Sequence, residues 1–294
     1  YVQEFLTTSN HQHLCLFSNK GRMYKLRVHE VPEGSRQARG VHINNLLPLE
    51  EGEWITTVLA LREFSEDTYF LFVTKKGMVK RSSSTLYARA RKTALIAVGL
   101  REDDELVIVR AIHDDEQVVL ATANGYAIRF SLEDVRPMGR SAAGVKGIAL
   151  RRNDFVISGL VIESGDEAME IMSISELGYG KRTRAGLYKQ QSRGGLGIIN
   201  FKVTTKTGKV VGALPVKDGD GLILLTSANK VVRCAVDEIS SYGRSTSGVI
   251  VVRLDDGATV VACDRLVQDG VVSEKVDEIV ENMDIEMGNA EEKE

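Results

Sequence analysis

The chain has 294 residues, of which 43% are hydrophobic and 27% charged, so it can bury a sizeable core and is not disordered as a whole. Its three cysteines lie far apart and no apolar run approaches the roughly 20 residues of a membrane helix, which favours a protein of the reducing cytoplasm without disulfide, thiolate zinc site or membrane span. The net charge of −3 hides an asymmetry, because residues 271–294 carry a net −7 and the remainder +4.

The two ends of the chain suggest different things. Residues 1–5 contain neither a starting methionine nor a signal sequence, so we expect the chain to be a fragment of a longer protein. Residues 271–294 have few aromatic residues and many like charges, which predicts a flexible acidic tail. The predicted domain therefore covers residues 1–270.

Five apolar, strand-like runs occur in chain order, at residues 14–17, 69–73, 118–121, 170–174 and 222–225. A turn residue follows each run, with a basic residue four positions later; the pairs are Gly21 and Lys25, Gly77 and Arg81, Gly125 and Arg129, Gly178 and Arg182, and Asn229 and Arg233. Asparagine is the ordinary residue that best tolerates a positive φ, so its place in the fifth copy indicates a left-handed turn. The pattern predicts five β-hairpins.

A second repeat is an arginine followed after four and five residues by glycine and an aliphatic residue. It begins at Arg36, Arg140, Arg193 and Arg244, with a degenerate copy at Arg91. Successive arginines are 55, 49, 53 and 51 residues apart. A period near 50 residues without helical periodicity is typical of one propeller blade, and blades bury their faces only against neighbours. We therefore predict one all-β disc of five or six blades.

No catalytic motif, cofactor fingerprint or convincing metal-ligand cluster occurs, whereas basic residues recur in register with the blades. Such a ring favours binding of a polyanion, and the alternative is that these cations pair with nearby acids or blunt strand edges. The candidate residues are Lys20, Arg22, Lys25, Arg36, Arg39, Lys75, Lys76, Lys80, Arg81, Arg129, Arg140, Lys181, Arg182, Arg184, Arg193, Lys230, Arg233 and Arg244.

Several segments resemble the C-terminal domain of DNA gyrase A in the order in which that family carries them. They are residues 18–24, 46–49, 136–140 with 144–145, 178–183, and 243–244 with 248–249. The resemblance implies a six-bladed β-pinwheel that wraps double-stranded DNA without reading its sequence and takes part in negative supercoiling. It also implies a monomeric, non-catalytic domain of a bacterial cytoplasmic type II topoisomerase. Its partners would be the rest of gyrase A and gyrase B, and the ATP and magnesium sites would lie outside this domain.

The family's wrapping signature is the heptapeptide Gln-Arg-Arg-Gly-Gly-Lys-Gly, expected here just before Tyr1. A degenerate copy is formed by Gln191, Ser192, Arg193, Gly194, Gly195, Leu196 and Gly197, which keeps the glycines but only one of three charges. The resemblance thus implies a weaker role for this segment.

Other functions stay open at this stage. The equivalent domain of topoisomerase IV is similar, and a propeller can also bind proteins or carry an enzyme site. Only 6% of residues are aromatic, which argues against an aromatic protein-binding patch. The acidic tail either competes with DNA for the basic residues or only improves solubility.

Overall fold

The computed structural model describes residues 8–34 and 40–267, and within them the chain is built of short strands and 3-10 helices. The strands are β1 (His13–Ser18), β2 (Arg22–Arg27), β3 (Ile55–Leu61), β4 (Tyr69–Thr74), β5 (Met78–Ser83), β6 (Leu95–Ile96), β7 (Leu106–Ile112), β8 (Gln117–Thr122), β9 (Tyr126–Ser131), β10 (Val145–Lys146), β11 (Val156–Ile162), β12 (Glu170–Ser175), β13 (Tyr179–Arg184), β14 (Ile198–Ile199), β15 (Val210–Val216), β16 (Gly221–Thr226), β17 (Val231–Ala235), β18 (Val249–Ile250) and β19 (Val260–Leu266).

These strands form five antiparallel sheets, which we call blades 1 to 5. From the inner to the outer strand, the blades are β3-β1-β2-β6, β7-β4-β5-β10, β11-β8-β9-β14, β15-β12-β13-β18 and β19-β16-β17. The inner strands of successive blades contact one another and line a central cavity of about 340 Å³. The two-residue outer strands therefore lie at the perimeter of a disc.

The five predicted hairpins are present, and their turns have the expected backbone. Gly21 has φ +74° and Asn229, in the fifth copy, has φ +61°. A tight turn of this hand joins strands that twist in the usual right-handed sense. The spacing of turn residues thus predicted both the hairpins and the left-handed conformation.

The outer strand of each of blades 1 to 4 comes from the chain of the next blade, which the sequence analysis did not predict. In blade 1, Arg22 of β2 pairs with Ile96 of β6, although β6 follows the hairpin of blade 2. Strands β10, β14 and β18 are exchanged in the same way. Each sequence repeat therefore supplies the outer strand of the preceding blade first, and only then forms the inner strand of its own blade.

Short 3-10 helices lie between the strands. They are Val28–Glu30, Ile43–Asn45, Ser84–Tyr87, Leu132–Asp134, Ala185–Leu187 and Val236–Glu238. Five of them directly follow the second strand of a hairpin, where the chain turns toward the neighbouring blade. None of the helices in the described ranges is long or apolar enough to cross a membrane.

The hydrophobic core lies between the faces of consecutive blades. Between blades 1 and 2, Phe17 contacts Phe70 and Phe72 in edge-to-face geometry, with ring centroids 5.4 and 5.7 Å apart. Tyr87 completes this cluster, and all four rings are fully buried. Similar clusters join blades 2 and 3, 3 and 4, and 4 and 5. Packing of this kind makes each blade depend on its neighbour.

The propeller-like all-β fold is confirmed, with five blades in the described residues where six were expected. Arg36, Arg39 and the predicted acidic tail at residues 271–294 lie outside the described residues.

Candidate nucleic-acid interface

Three arginines occupy equivalent positions on the perimeter of blades 2, 3 and 4. Arg140, Arg193 and Arg244 lie on loops that lead into the outer strands, at residues 137–144, 190–197 and 241–248, which we call the rim loops. Each side chain is partly exposed and donates a hydrogen bond to an outer-strand carbonyl of the preceding blade. The acceptors are Ile96 O at 3.5 Å, Lys146 O at 3.1 Å and Ile199 O at 2.8 Å, respectively.

Each rim loop is fixed at both ends against the second strand of a hairpin. At its start each rim loop lies along the second strand of a hairpin, as in the bond from Met138 N to Arg81 O at 2.8 Å. At its end a glycine approaches that strand closely. Gly144 has φ +83°, and a Cβ added there would lie 2.3 Å from Val79 O. The glycine of the second sequence repeat is therefore required for docking of the outer strand.

Two predicted DNA contacts, Lys80 and Lys181, are instead buried inside blades 2 and 4, only 1% and 0% exposed. The Lys80 ammonium donates to Ala97 O and Arg140 O, both at 2.6 Å, and to Gly139 O at 3.2 Å. Burial lowers the pKa of Lys80 to about 7, and the charge of Arg140 adds to the shift. The prediction of phosphate contact is corrected for both lysines, because their amines are enclosed by protein.

Lys181 has matching surroundings in blade 4. Its ammonium donates to Gly243 O at 2.7 Å, Arg244 O at 2.6 Å and Thr246 Oγ1 at 3.3 Å. Burial, followed by the charge of Arg244, lowers the pKa of Lys181 to about 7.

The predicted DNA contacts of the bases four residues after the turn in blades 2, 3 and 4 are also corrected. These residues, Arg81, Arg129 and Arg182, join neighbouring blades instead. Arg129 is 4% exposed and makes a bidentate pair with Glu167, at 2.6 and 2.9 Å. The Nε atoms of Arg81 and Arg182 donate to Val135 O and Ile239 O of the following blade, at 2.7 and 2.6 Å.

Acids complete these contacts: Arg81 pairs with Asp114, and Arg182 with Glu170 and Asp218. In the described structure all three bases pair with nearby acids. We call these three residues the inter-blade arginines.

The cations at the hairpin turns remain accessible, and most of them pair with exposed acids. Lys20 and Arg22 contact the exposed Glu50, and Arg22 also approaches the buried carboxylate of Glu53 at 3.6 Å. Lys75 lies 3.5 Å from Glu105, with both side chains well exposed. Lys76 donates to Glu102 O at 2.8 Å, and Lys230 pairs with Asp255 at 2.7 Å. Exposed pairs of this kind are weak, so phosphates can displace the acids.

The remaining predicted residues occupy mixed positions. The Lys25 amine donates to Ala88 O and lies 5.1 Å from the ring centre of Phe64, and burial lowers its pKa. Arg184 is exposed at the end of β13, and Arg233 is half-buried on β17.

The degenerate heptapeptide, Gln191 to Gly197, forms most of the rim loop of blade 3. Its Gly194 N donates to Gly147 O at 2.6 Å, and its Leu196 side chain is exposed. The single charge that it retains, Arg193, is the rim arginine of that blade. The described structure thus places this segment on the perimeter.

The sequence analysis missed further cations next to the outer strands. Arg151 stacks on Tyr126, 3.5 Å from the ring centre, and donates to Leu196 O at 2.5 Å. The signal that could have found them is a base three to six residues after each outer strand, as at Arg101, Arg151, Arg152, Lys202 and Arg253.

The chain is similar to known proteins over most of its length. The family model described as DNA gyrase C-terminal domain, beta-propeller, matches residues 12–62, 68–113, 116–163, 170–217 and 222–266, one segment per blade. DNA gyrase A of Lawsonia intracellularis is 59% identical over 282 residues, which are 96% of this chain and 34% of that protein. DNA gyrase A of Staphylococcus epidermidis is 42% identical over 261 residues, 88% of this chain and 29% of that protein. The chain thus spans about a third of these curated relatives.

Two solved structures have the same fold. A DNA gyrase A C-terminal domain superposes with a TM-score of 0.76 at 25% identity, covering 90% of both chains. The C-terminal domain of a DNA topoisomerase IV superposes with a TM-score of 0.79 at 28% identity, covering 87% of this chain and 79% of that one. With its five repeats matched in order, the chain belongs to the DNA gyrase C-terminal domain family of β-propellers.

Proposed function

We propose that this domain binds duplex DNA without sequence preference and bends it around the perimeter of the disc. The observation that carries the proposal is the repetition of Arg140, Arg193 and Arg244, partly exposed and held in equivalent positions on three consecutive blades. Guanidinium groups at regular intervals match the phosphate backbone of a curved duplex. Contacts to phosphates carry no sequence information directly, so an interface of this kind is expected to bind DNA without sequence preference.

The energy needed to bend DNA explains why the cations have to lie along the whole perimeter of the disc. Smoothly bending 20–30 base pairs by 40–90° costs about 1–6 kcal/mol, so a single contact patch could not hold a long curved path. Contacts on successive blades offset this cost step by step and release counterions along the DNA. The turn lysines Lys20 and Lys75 would extend the interface once phosphates replace their acidic neighbours, and Lys76 once a phosphate replaces the main-chain carbonyl of Glu102.

In the longer protein, we place this domain in a bacterial, cytoplasmic type II topoisomerase as a non-catalytic module. The rest of gyrase A and gyrase B would carry strand cleavage and the ATP and magnesium sites, and this domain needs no cofactor for contacts with phosphate. A wrap of fixed hand would direct strand passage so that the enzyme introduces negative supercoils.

The test is a mobility shift of duplex DNA over a salt series. Each lost phosphate contact lowers the slope of log K against log salt by about 0.9, so R140A/R193A/R244A is expected to lower it by about 2.7. R27A/R62A/K217A removes the same charge from exposed residues at strand ends away from the rim loops and is the matched control. Equal losses in both triple variants would show that only net charge matters and would refute the rim proposal.

The likeness to the topoisomerase IV domain favours a second candidate, in which this chain is the equivalent domain of a topoisomerase IV. A further open question is whether the domain wraps DNA with a fixed hand or only bends it. Relaxed plasmid closed in the presence of the chain distinguishes the wrap from the bend. A handed wrap leaves a change in linking number after the protein is removed, whereas a planar bend leaves none. Absence of a change, together with the expected salt slopes, would show that the domain bends DNA without a handed wrap.

A further inference from the structure

Lys80 and Lys181 occupy the same position in alternate blades, three residues after the turn glycine. Each ammonium group donates to the carbonyls of two consecutive rim-loop residues. For Lys80 these are Gly139 and Arg140, and for Lys181 they are Gly243 and Arg244. One acceptor in each pair is therefore the carbonyl of a rim arginine itself.

The fold does not require a lysine at this position. Blade 3 has Ile128 there and blade 5 has Val232, on strands of the same register. An aliphatic side chain fills such a site without cost, whereas a buried ammonium loses its hydration and must find a full set of acceptors. Four acceptors surround the Lys80 amine, including Tyr87 Oη at 3.4 Å, and three surround that of Lys181, so all the N–H groups have partners.

The lysine occurs together with one loop sequence. The rim loops of blades 2 and 4 both contain Gly-Arg-Ser, at residues 139–141 and 243–245, while the loop of blade 3 has Ser-Arg-Gly at residues 192–194. In blade 3 the arginine is fixed from outside, because Arg193 Nε donates to Asp134 O at 2.9 Å. No such second bond is described for Arg140 or Arg244 within residues 8–34 and 40–267.

We propose that Lys80 and Lys181 are positioning residues for the DNA-binding perimeter: each fixes, from inside the disc, the main chain of the loop that presents Arg140 or Arg244. The inference rests on the proposed function, because it assigns the lysines a role in presenting those arginines to phosphate. Lys80 also bonds Ala97 O, next to the Ile96 carbonyl that accepts from Arg140. One amine thus fixes both the arginine backbone and the segment that its guanidinium contacts.

The first experiment measures loop order without DNA, by hydrogen exchange of the chain and its variants. K80M is expected to accelerate exchange of residues 137–144 at least tenfold, and K181M that of residues 241–248, while residues 190–197 are unchanged in both. I128M is the matched control at the equivalent position of blade 3 and is expected to change none of the three loops. Unchanged exchange in K80M and K181M would overturn the inference and leave the proposed function untouched.

The second experiment asks whether lysine and arginine act through the same contact. The salt slope for DNA binding is expected to fall by about 0.9 in R140A, by a similar amount in K80M, and no further in K80M/R140A. Additive losses in the double variant would overturn the inference. An unchanged slope in R140A would refute the proposed rim contact, and the DNA role of the lysines with it, even if K80M accelerates loop exchange.

A milder variant covers the case in which a lysine variant fails to fold. T246V removes one acceptor of the Lys181 amine, and with it the bond from Thr246 Oγ1 to Gly243 O within the loop, and leaves the lysine in place. It is expected to accelerate exchange in residues 241–248 and to lower the salt slope in the same direction as R244A. Loop exchange and DNA binding equal to those of the original chain would contradict the role assigned to Lys181.

Discussion

At the scale of single residues, similar basic side chains have different tasks that depend on their depth in the disc. The inter-blade arginines donate to carbonyls just after the hairpin of the next blade, whereas the rim arginines are partly exposed to solvent. A buried guanidinium that bonds two main-chain carbonyls contributes to stability, because its removal leaves those acceptors without a donor. A partly exposed one contributes little.

This difference gives a prediction for Arg129. R129M is expected to lower the free energy of unfolding by about 2 kcal/mol, because Ala185 O and Tyr188 O lose their charged donor. R193M, at the rim, should change it by less than about 0.5 kcal/mol. Urea unfolding of both variants measures the effect. Similar destabilisation by the two substitutions would contradict the assignment of inter-blade and rim arginines.

At the scale of elements, the exchanged outer strand depends on one glycine per rim loop. In blade 2, G144A would place a Cβ 2.3 Å from Val79 O and force a residue with a side chain to adopt φ +83°. We expect about 1–3 kcal/mol of strain and release of β10 from β5. The measurement is hydrogen exchange of the β5 and β10 amides.

The matched control lies in the same loop. Gly139 has open space where a Cβ would be added, and its φ is not in the left-handed range, so G139A is expected to leave β10 in place. If G139A and G144A released the strand equally, loop flexibility rather than close approach to Val79 would govern docking.

The hairpins could be predicted from sequence, whereas strand exchange could not. A turn glycine and a base four residues later are local features, and local backbone preference decides the turn. The segment from Arg140 to Val145 would recur at the same spacing in either arrangement: pairing with the hairpin just before it in the chain, or with the hairpin of the preceding blade, as observed. The spacing alone therefore does not distinguish the two. Burial of Lys80 could not be predicted from sequence either, because its acceptors at residues 97, 139 and 140 are distant along the chain.

At the scale of the whole molecule, strand exchange makes stability directional along the disc. The chain of blade 5 supplies β18, which completes blade 4 through the pairs Tyr179 with Ile250 and Gly180 with Val249. Packing between faces couples neighbours in both directions, but an exchanged strand transmits loosening only from a blade to its predecessor. Two core leucines, Leu16 of blade 1 and Leu225 of blade 5, allow this to be tested.

Both leucines are nearly buried and lie in clusters made within their own blade, on the face away from the described neighbour. Each substitution to alanine should loosen its own blade by about 2–5 kcal/mol. Hydrogen exchange is expected to show that L225A also unprotects β13 and β18 of blade 4, because the chain that supplies β18 is released. L16A should leave the outer pair of blade 2 protected, since β10 comes from blade 3. If L16A and L225A caused equal loss of protection in the neighbouring blade, packing between blade faces alone would couple the blades.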